Sequence, residues 1–139
     1  VSKTEWDAMS AREKDALVAE QIMGWTRIEV DDEQPDQVPY LQGPDEGVYY
    51  PKVVAEFPRL RHAGGAMPCY SSSHFAVIAV ENEIEQRGLR HAYMGCLWRM
   101  LCQDVKETPV DMGWAFRRVS PDLCCYCAVK ACEEAEADS

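Results

Sequence analysis

Long apolar runs are missing from this 139-residue chain. No stretch reaches the roughly 18 residues that a membrane-crossing helix needs, which argues against a membrane partner. No basic segment followed by an apolar stretch opens it, so no signal peptide is visible. Basic residues are scarce: 14 lysines and arginines stand against 24 acids, a formal net charge of −10. Such a chain repels phosphate backbones, and generic binding to DNA or RNA is disfavoured. A phosphate-cradling glycine loop is absent, because Gly64-Gly65 has no following lysine and serine or threonine. Nor does a His-x-His spacing or a second cysteine pair accompany Cys124-x-x-Cys127. There is no internal repeat.

What is present points to one domain over residues 1–139, long enough for a core without staples. Seven cysteines, an odd number with Cys124, Cys125 and Cys127 crowded together, do not form a disulfide framework. They suit small core residues in a reducing cytoplasm. The acids gather at Asp31-Asp32-Glu33, Asp36 and Asp45-Glu46, and in a tail of Glu133, Glu134, Glu136 and Asp138. Solvated loops and ends are the plain reading, and a basic partner protein is the sharper one. The tail after Cys132 is expected to fray.

Taken in order, residues 4–24 read as an N-terminal helical region, with Ser10-Ala11-Arg12-Glu13 as a capping-box pattern and Gly24 as its stop. Residues 25–30 alternate like a short strand. Residues 31–47, acidic and interrupted by Pro35, Pro39 and Pro44, read as a loop. Val48 to Val54 could be an irregular edge strand broken by Pro51. Arg59, Arg61 and His62 form a small basic island in a connector. Residues 70–87 form the central helix, opened by one of Ser71, Ser72 or Ser73, with Ser71 the favoured cap, and ended by Gly88. Its first half is apolar nearly all round, which suggests burial on two sides or a subunit contact. Residues 91–119 read as an antiparallel hairpin with Met94, Cys96 and Trp98 on one strand and Trp114, Phe116 and Arg118 on the return. Ser120-Pro121-Asp122 opens a closing helix over residues 121–132, whose Cys124, Cys127, Ala128 and Ala131 form a narrow face for packing on a sheet. The fold class is therefore α+β, a three-layer α/β/α sandwich with a mainly antiparallel sheet.

Three blocks in this order carry a resemblance: Asp15-Ala-Leu-Val-Ala-Glu-Gln-Ile-Met-Gly-Trp25, then Pro68-Cys-Tyr-Ser-Ser-Ser73 opening a helix that ends in Arg87-Gly88, then Trp114-Ala-Phe-Arg117 before an Ala/Cys-rich helix. Together they resemble the phage ABA sandwich domain family of small phage and prophage proteins. An acid often follows the Tyr-Ser pair in that family, where Ser73 stands here, and the Cys124-Cys125-Tyr126-Cys127 run is unusual for it. The resemblance implies helices on both faces of a sheet and a phage-encoded accessory protein acting in a bacterial host cytoplasm. It brings no catalytic residue and no cofactor.

The candidate ligand-binding residues are Tyr70, Ser71, Ser72 and Ser73 at one helix start, and Trp114, Arg117 and Arg118 before a second at Ser120. Free N–H groups and the helix dipole favour anions at such ends, while ordinary capping is the plain alternative. If the two starts converge, phosphate meets N–H groups and arginine, and a base stacks on the aromatic rings. His74 and His91 have no spacing that argues for a nucleophilic pair. Cys124 and Cys127 read as reduced core thiols rather than half a metal site. The expected protein is thus not an enzyme. It is a binder, expected to self-associate, that sequesters a small nucleotide-like host defence signal. The alternative is an inhibitor that presents its acidic surface to a host protein.

Overall fold

Serine opens one helix after another. In the computed structural model, which describes residues 1–29, 38–44, 47–51, 67–103 and 109–138, the first helix is α1, Lys3–Ala8. Ser2 Oγ accepts from Glu5 N at 3.1 Å while Ser2 N donates to Glu5 Oε1 at 3.3 Å, a reciprocal capping box. Met9 is extended, and Ser10 caps α2, Ala11–Gln21, by accepting from Glu13 N at 3.2 Å. The single helical region expected over residues 4–24 is thus two helices. Gly24 sits at φ 77°, a left-handed value that lets Trp25 N reach back to Ala19 O at 3.0 Å.

The sheet is small and belongs to the first half of the chain. Strands β1, Thr26–Ile28, β2, Tyr40–Gln42, and β3, Val48–Tyr49, run antiparallel in the order β1-β2-β3. Arg27 faces Leu41, and Leu41 faces Tyr49. The middle strand corrects the loop expected over residues 31–47: Leu41 and Gln42 pair on both edges, and Leu41 is fully buried. The acids at 31–36, 45 and 46, the Val53-Val54 strand and the Arg59, Arg61 and His62 island lie outside the described residues.

Past residue 67 every regular element among the described residues is a helix. Helix α3 is His74–Gln86, α4 is Arg90–Cys102, α5 is Pro109–Arg117 and α6 is Pro121–Ala137. The expected hairpin over residues 91–119 is therefore wrong; α4 and α5 occupy it. Residues 90–102 contain no β-branched side chain, and Tyr93, Cys96 and Leu97 bury at the spacing of one helical face while Met94 and Trp98 stay exposed. The apparent alternation arose because hydrophobic residues occur on both sides of the helix. Gly88, at φ 73°, makes the tight turn between α3 and α4, with Leu89 N donating to Ile84 O at 3.0 Å.

The core centres on α6 rather than on α3. From Cys124 to Cys132 only Lys130 escapes burial, so this part of α6 is enclosed nearly all round, and the helix packs on α2, α3 and α4. Its small residues face helices, which corrects the sheet-facing role expected for them. It also runs on to Ala137, so the tail beyond Cys132 continues the helix. Trp6 of α1 is wholly buried, its ring 5.9 Å from that of Tyr126. The class is α+β, mostly helical, with one small antiparallel sheet among the described residues. No described helix is long and apolar enough to cross a membrane.

Candidate functional site

The hydroxyl-rich stretch before α3 is held from within. Asp15 on α2 is fully buried, and its Oδ1 receives Ser71 N at 2.7 Å and lies 2.7 Å from Ser71 Oγ. Ser71 Oγ also lies 3.1 Å from Ala11 O, so its single hydrogen is committed inside the fold. The other carboxylate oxygen of Asp15 accepts from Arg12 at 3.0 Å. The Arg12 guanidinium donates onward to Met67 O at 2.9 Å and Pro68 O at 3.1 Å, and stacks over the Tyr49 ring at 4.8 Å. One buried ion pair therefore pins residues 67–71 to α2 and β3. Only Arg12 Nε in this cluster lacks a partner among the described residues.

This arrangement gives structural roles to three of the four residues expected to bind an anion. Tyr70 is buried, its carbonyl accepting from Cys125 Sγ at 3.3 Å, and burial pushes its hydroxyl pKa up. Ser71 is buried against a carboxylate, which repels an anionic ligand. The cap of α3 is Ser73, not Ser71: Ser73 Oγ accepts from Ala76 N at 3.2 Å. Ser72 alone is exposed. Replacing Ser73 with alanine should cost about 1 kcal/mol in thermal or urea unfolding, whereas Ser72→Ala should cost roughly nothing. Equal effects would dismiss the cap assignment.

The second helix start is also occupied. Ser120 Oγ accepts from Leu123 N at 3.1 Å. Asp122 in the first turn receives Lys14 Nζ at 2.6 Å and Trp6 Nε1 at 3.3 Å. An incoming anion there would meet an acid whose charge is already matched. Trp114, Arg117 and Arg118 do come together, on the outer side of α5. All three are exposed, and the Arg118 guanidinium lies over the Trp114 ring at 5.7 Å. Among the described residues no hydrogen bond, ion pair or ring contact joins them to Tyr70–Ser73, so the seven candidates form two separate groups.

Apolar side chains are exposed on α3, α4 and α5. Phe75 on α3 is 86% exposed, Trp98 on α4 52% and Trp114 on α5 63%; Ile78 and Met94 are exposed beside them in sequence. The Trp98 and Phe116 rings meet at 5.9 Å and join α4 to α5. The all-round apolar start of the central helix therefore buries Val77 and Val80 and leaves its other side uncovered.

Arg12 and Asp15 escaped the sequence reading, although a signal was there. They fall on the same helical arc as Ala16 and Ala19, and a charged pair on a buried arc implies mutual compensation. His74 and His91 sit exposed in the first turns of α3 and α4. Among the described residues no cluster of three or more His, Cys, Asp or Glu side chains could hold a metal. Compared with family models, curated proteins and solved structures, the chain matches none.

Proposed function

We propose that this chain is a phage-encoded accessory protein that acts by binding another protein in the bacterial host cytoplasm. The contact surface is the outer side of α3, α4 and α5. The exposure of Phe75, Ile78, Met94, Trp98 and Trp114 carries this reading. Exposed apolar groups on that scale mark interaction surfaces, and Trp, Met and Arg are the residues enriched at interface centres. The phage kinship, with helices on both faces of the sheet in three layers, is part of the same proposal and rests on the sequence blocks.

The charges beside the aromatic rings define the partner. Exposed Arg99 follows Trp98, and exposed Arg117 and Arg118 follow Trp114. On a chain of net charge −10 these are local cationic groups, Arg99 being partly matched by Glu134 at 3.9 Å. An acidic protein segment with apolar side chains fits them, in place of the basic factor that the chain's overall acidity suggests. A nucleotide-like signal is the second reading, favoured by the Arg118–Trp114 stack, where a base could lie on the ring and phosphate could meet Arg117.

Variants separate the two. Trp98→Ala and Trp114→Ala should each lower capture of a host protein partner at least several-fold, Trp114→Ala without changing the melting temperature and Trp98→Ala with a small loss from its Phe116 contact, and capture should weaken with salt. Undiminished capture by both variants rules out this surface. For the nucleotide reading, titration calorimetry should show saturable heat that Trp114→Ala abolishes and Trp98→Ala does not. Self-association through the same face is the competing outcome, and light scattering of the free protein detects it.

A further inference from the structure

Charge is divided unevenly along this chain. Residues 90–120 hold five lysines and arginines against three acids, a formal +2, whereas the rest of the chain holds nine against 21, a formal −12. Helix α4 contains no acid at all. Arg87, Arg90 and Arg99 each have a glutamate nearby, at 3.0, 3.4 and 3.9 Å. Arg117 and Arg118 are exposed and form no ion pair among the described residues. They follow exposed Trp114, on the helix whose Phe116 ring meets Trp98. Two cations uncommitted to any described acid therefore stand beside exposed aromatic rings on a chain that is otherwise strongly acidic.

Charge complementarity selects an acidic occupant for that place. The surrounding charge limits its width. Glu134 stands beside Arg99, and the acidic remainder of the chain repels further acids that come within a Debye length, about 8 Å at physiological ionic strength. An occupant as wide as one helix, roughly 10 Å, keeps its acids near Arg117 and Arg118, whereas a broad acidic surface spreads them over that remainder.

The elements of the surface fix the occupant's backbone. Helices α3, α4 and α5 bond their main-chain groups internally and offer no open strand edge. An extended segment lying on their apolar side chains leaves its own N–H and C=O groups unpaired there. A helix satisfies those groups itself. Phe75 and Ile78 are three residues apart on α3, and Met94 and Trp98 four apart on α4, the spacings whose side-chain ridges receive the apolar stripe of another helix.

We propose that the occupant is a single acidic amphipathic helix of a partner protein, its apolar stripe on Met94 and Trp98 and its carboxylates on Arg117 and Arg118. This rests on the protein-binding reading above and adds the form and charge of the bound segment.

The folded, full-length chain is titrated into fluorescently labelled synthetic peptides of about 18 residues, roughly five turns, and followed by anisotropy and circular dichroism. One set carries a stripe of leucine, phenylalanine or methionine with glutamate at the remaining positions. A second has lysine for every glutamate, and a third has two central prolines in the acidic sequences. The acidic helical set should bind saturably, gain helicity, and bind several-fold more tightly than either other set; its affinity should fall with salt. Trp98→Ala should weaken it several-fold, and so should Arg117→Glu with Arg118→Glu. Prolines that leave affinity unchanged overturn the helical form. Lysine peptides that bind as tightly, and lose as much in Trp98→Ala, overturn the acidic one. If no peptide binds while Trp98→Ala still lowers capture of a host protein, this inference alone is overturned. Undiminished capture by both tryptophan variants overturns the reading beneath it. The comparison among peptides on the wild-type chain stands even if a variant fails to fold.

Discussion

Asp15→Ala should destabilise the protein by about 3–5 kcal/mol, because it leaves the buried Arg12 guanidinium without its counter-charge. The substitution also strips the acceptor from Ser71 N and leaves Arg12 with only neutral acceptors, the Met67 and Pro68 carbonyls and the Cys69 sulfur. Guanidinium unfolding measures the loss directly. Two companions sharpen the result. Ser71→Ala removes one partner and should cost about 1–3 kcal/mol. The double replacement Arg12→Met, Asp15→Leu should recover most of the single-variant loss, since apolar residues can replace a buried pair at little net cost. An Asp15→Ala variant within about 1 kcal/mol of the wild type would mean that the pair is not electrostatically important.

Trp6→Ala should cost about 3–5 kcal/mol, the range for a large aromatic side chain deleted from a core. The six-residue α1 is far too short to persist alone, so its docking depends on tertiary contact. Trp6 is the buried residue of that helix. Its ring packs on Tyr126, its Nε1 donates to Asp122 at 3.3 Å, and Lys14 Nζ lies 5.4 Å from the ring centroid. Losing it should free α1 as well as cavitate the core. Hydrogen exchange should therefore show the amides of Lys3–Ala8 losing protection before those of α2. Retained protection there, with unchanged stability, would contradict this assignment.

Local chemistry made the helix caps legible. Ser10, Gly24, Gly88 and Ser120 stand where their types predict, because capping is settled within a few residues. The α4–α5 region was misread for the opposite reason. An amphipathic helix with hydrophobic residues straying onto its outer side mimics alternation, and Met94 and Trp98 supplied the false strand face. Helix propensity across residues 90–102 was the better guide. The candidate site split along the same line. Trp114, Arg117 and Arg118 share one helical surface, which sequence spacing can reveal. Whether Ser71 faces a ligand or Asp15 depends on a partner 56 residues away, which spacing cannot reveal.

The position of α6 has a consequence for biosynthesis. The segment around which α2, α3 and α4 assemble is later in the chain than all of them. As the polypeptide emerges from the ribosome, the earlier helices lack the main native surface on which they bury their apolar sides. The domain must therefore complete its core after α6 has cleared the exit tunnel, and until then the exposed faces are open to chaperones and to one another. Slowing translation near the C-terminal side of the core should lengthen that vulnerable interval, while pauses before α3 should leave folding yield unchanged.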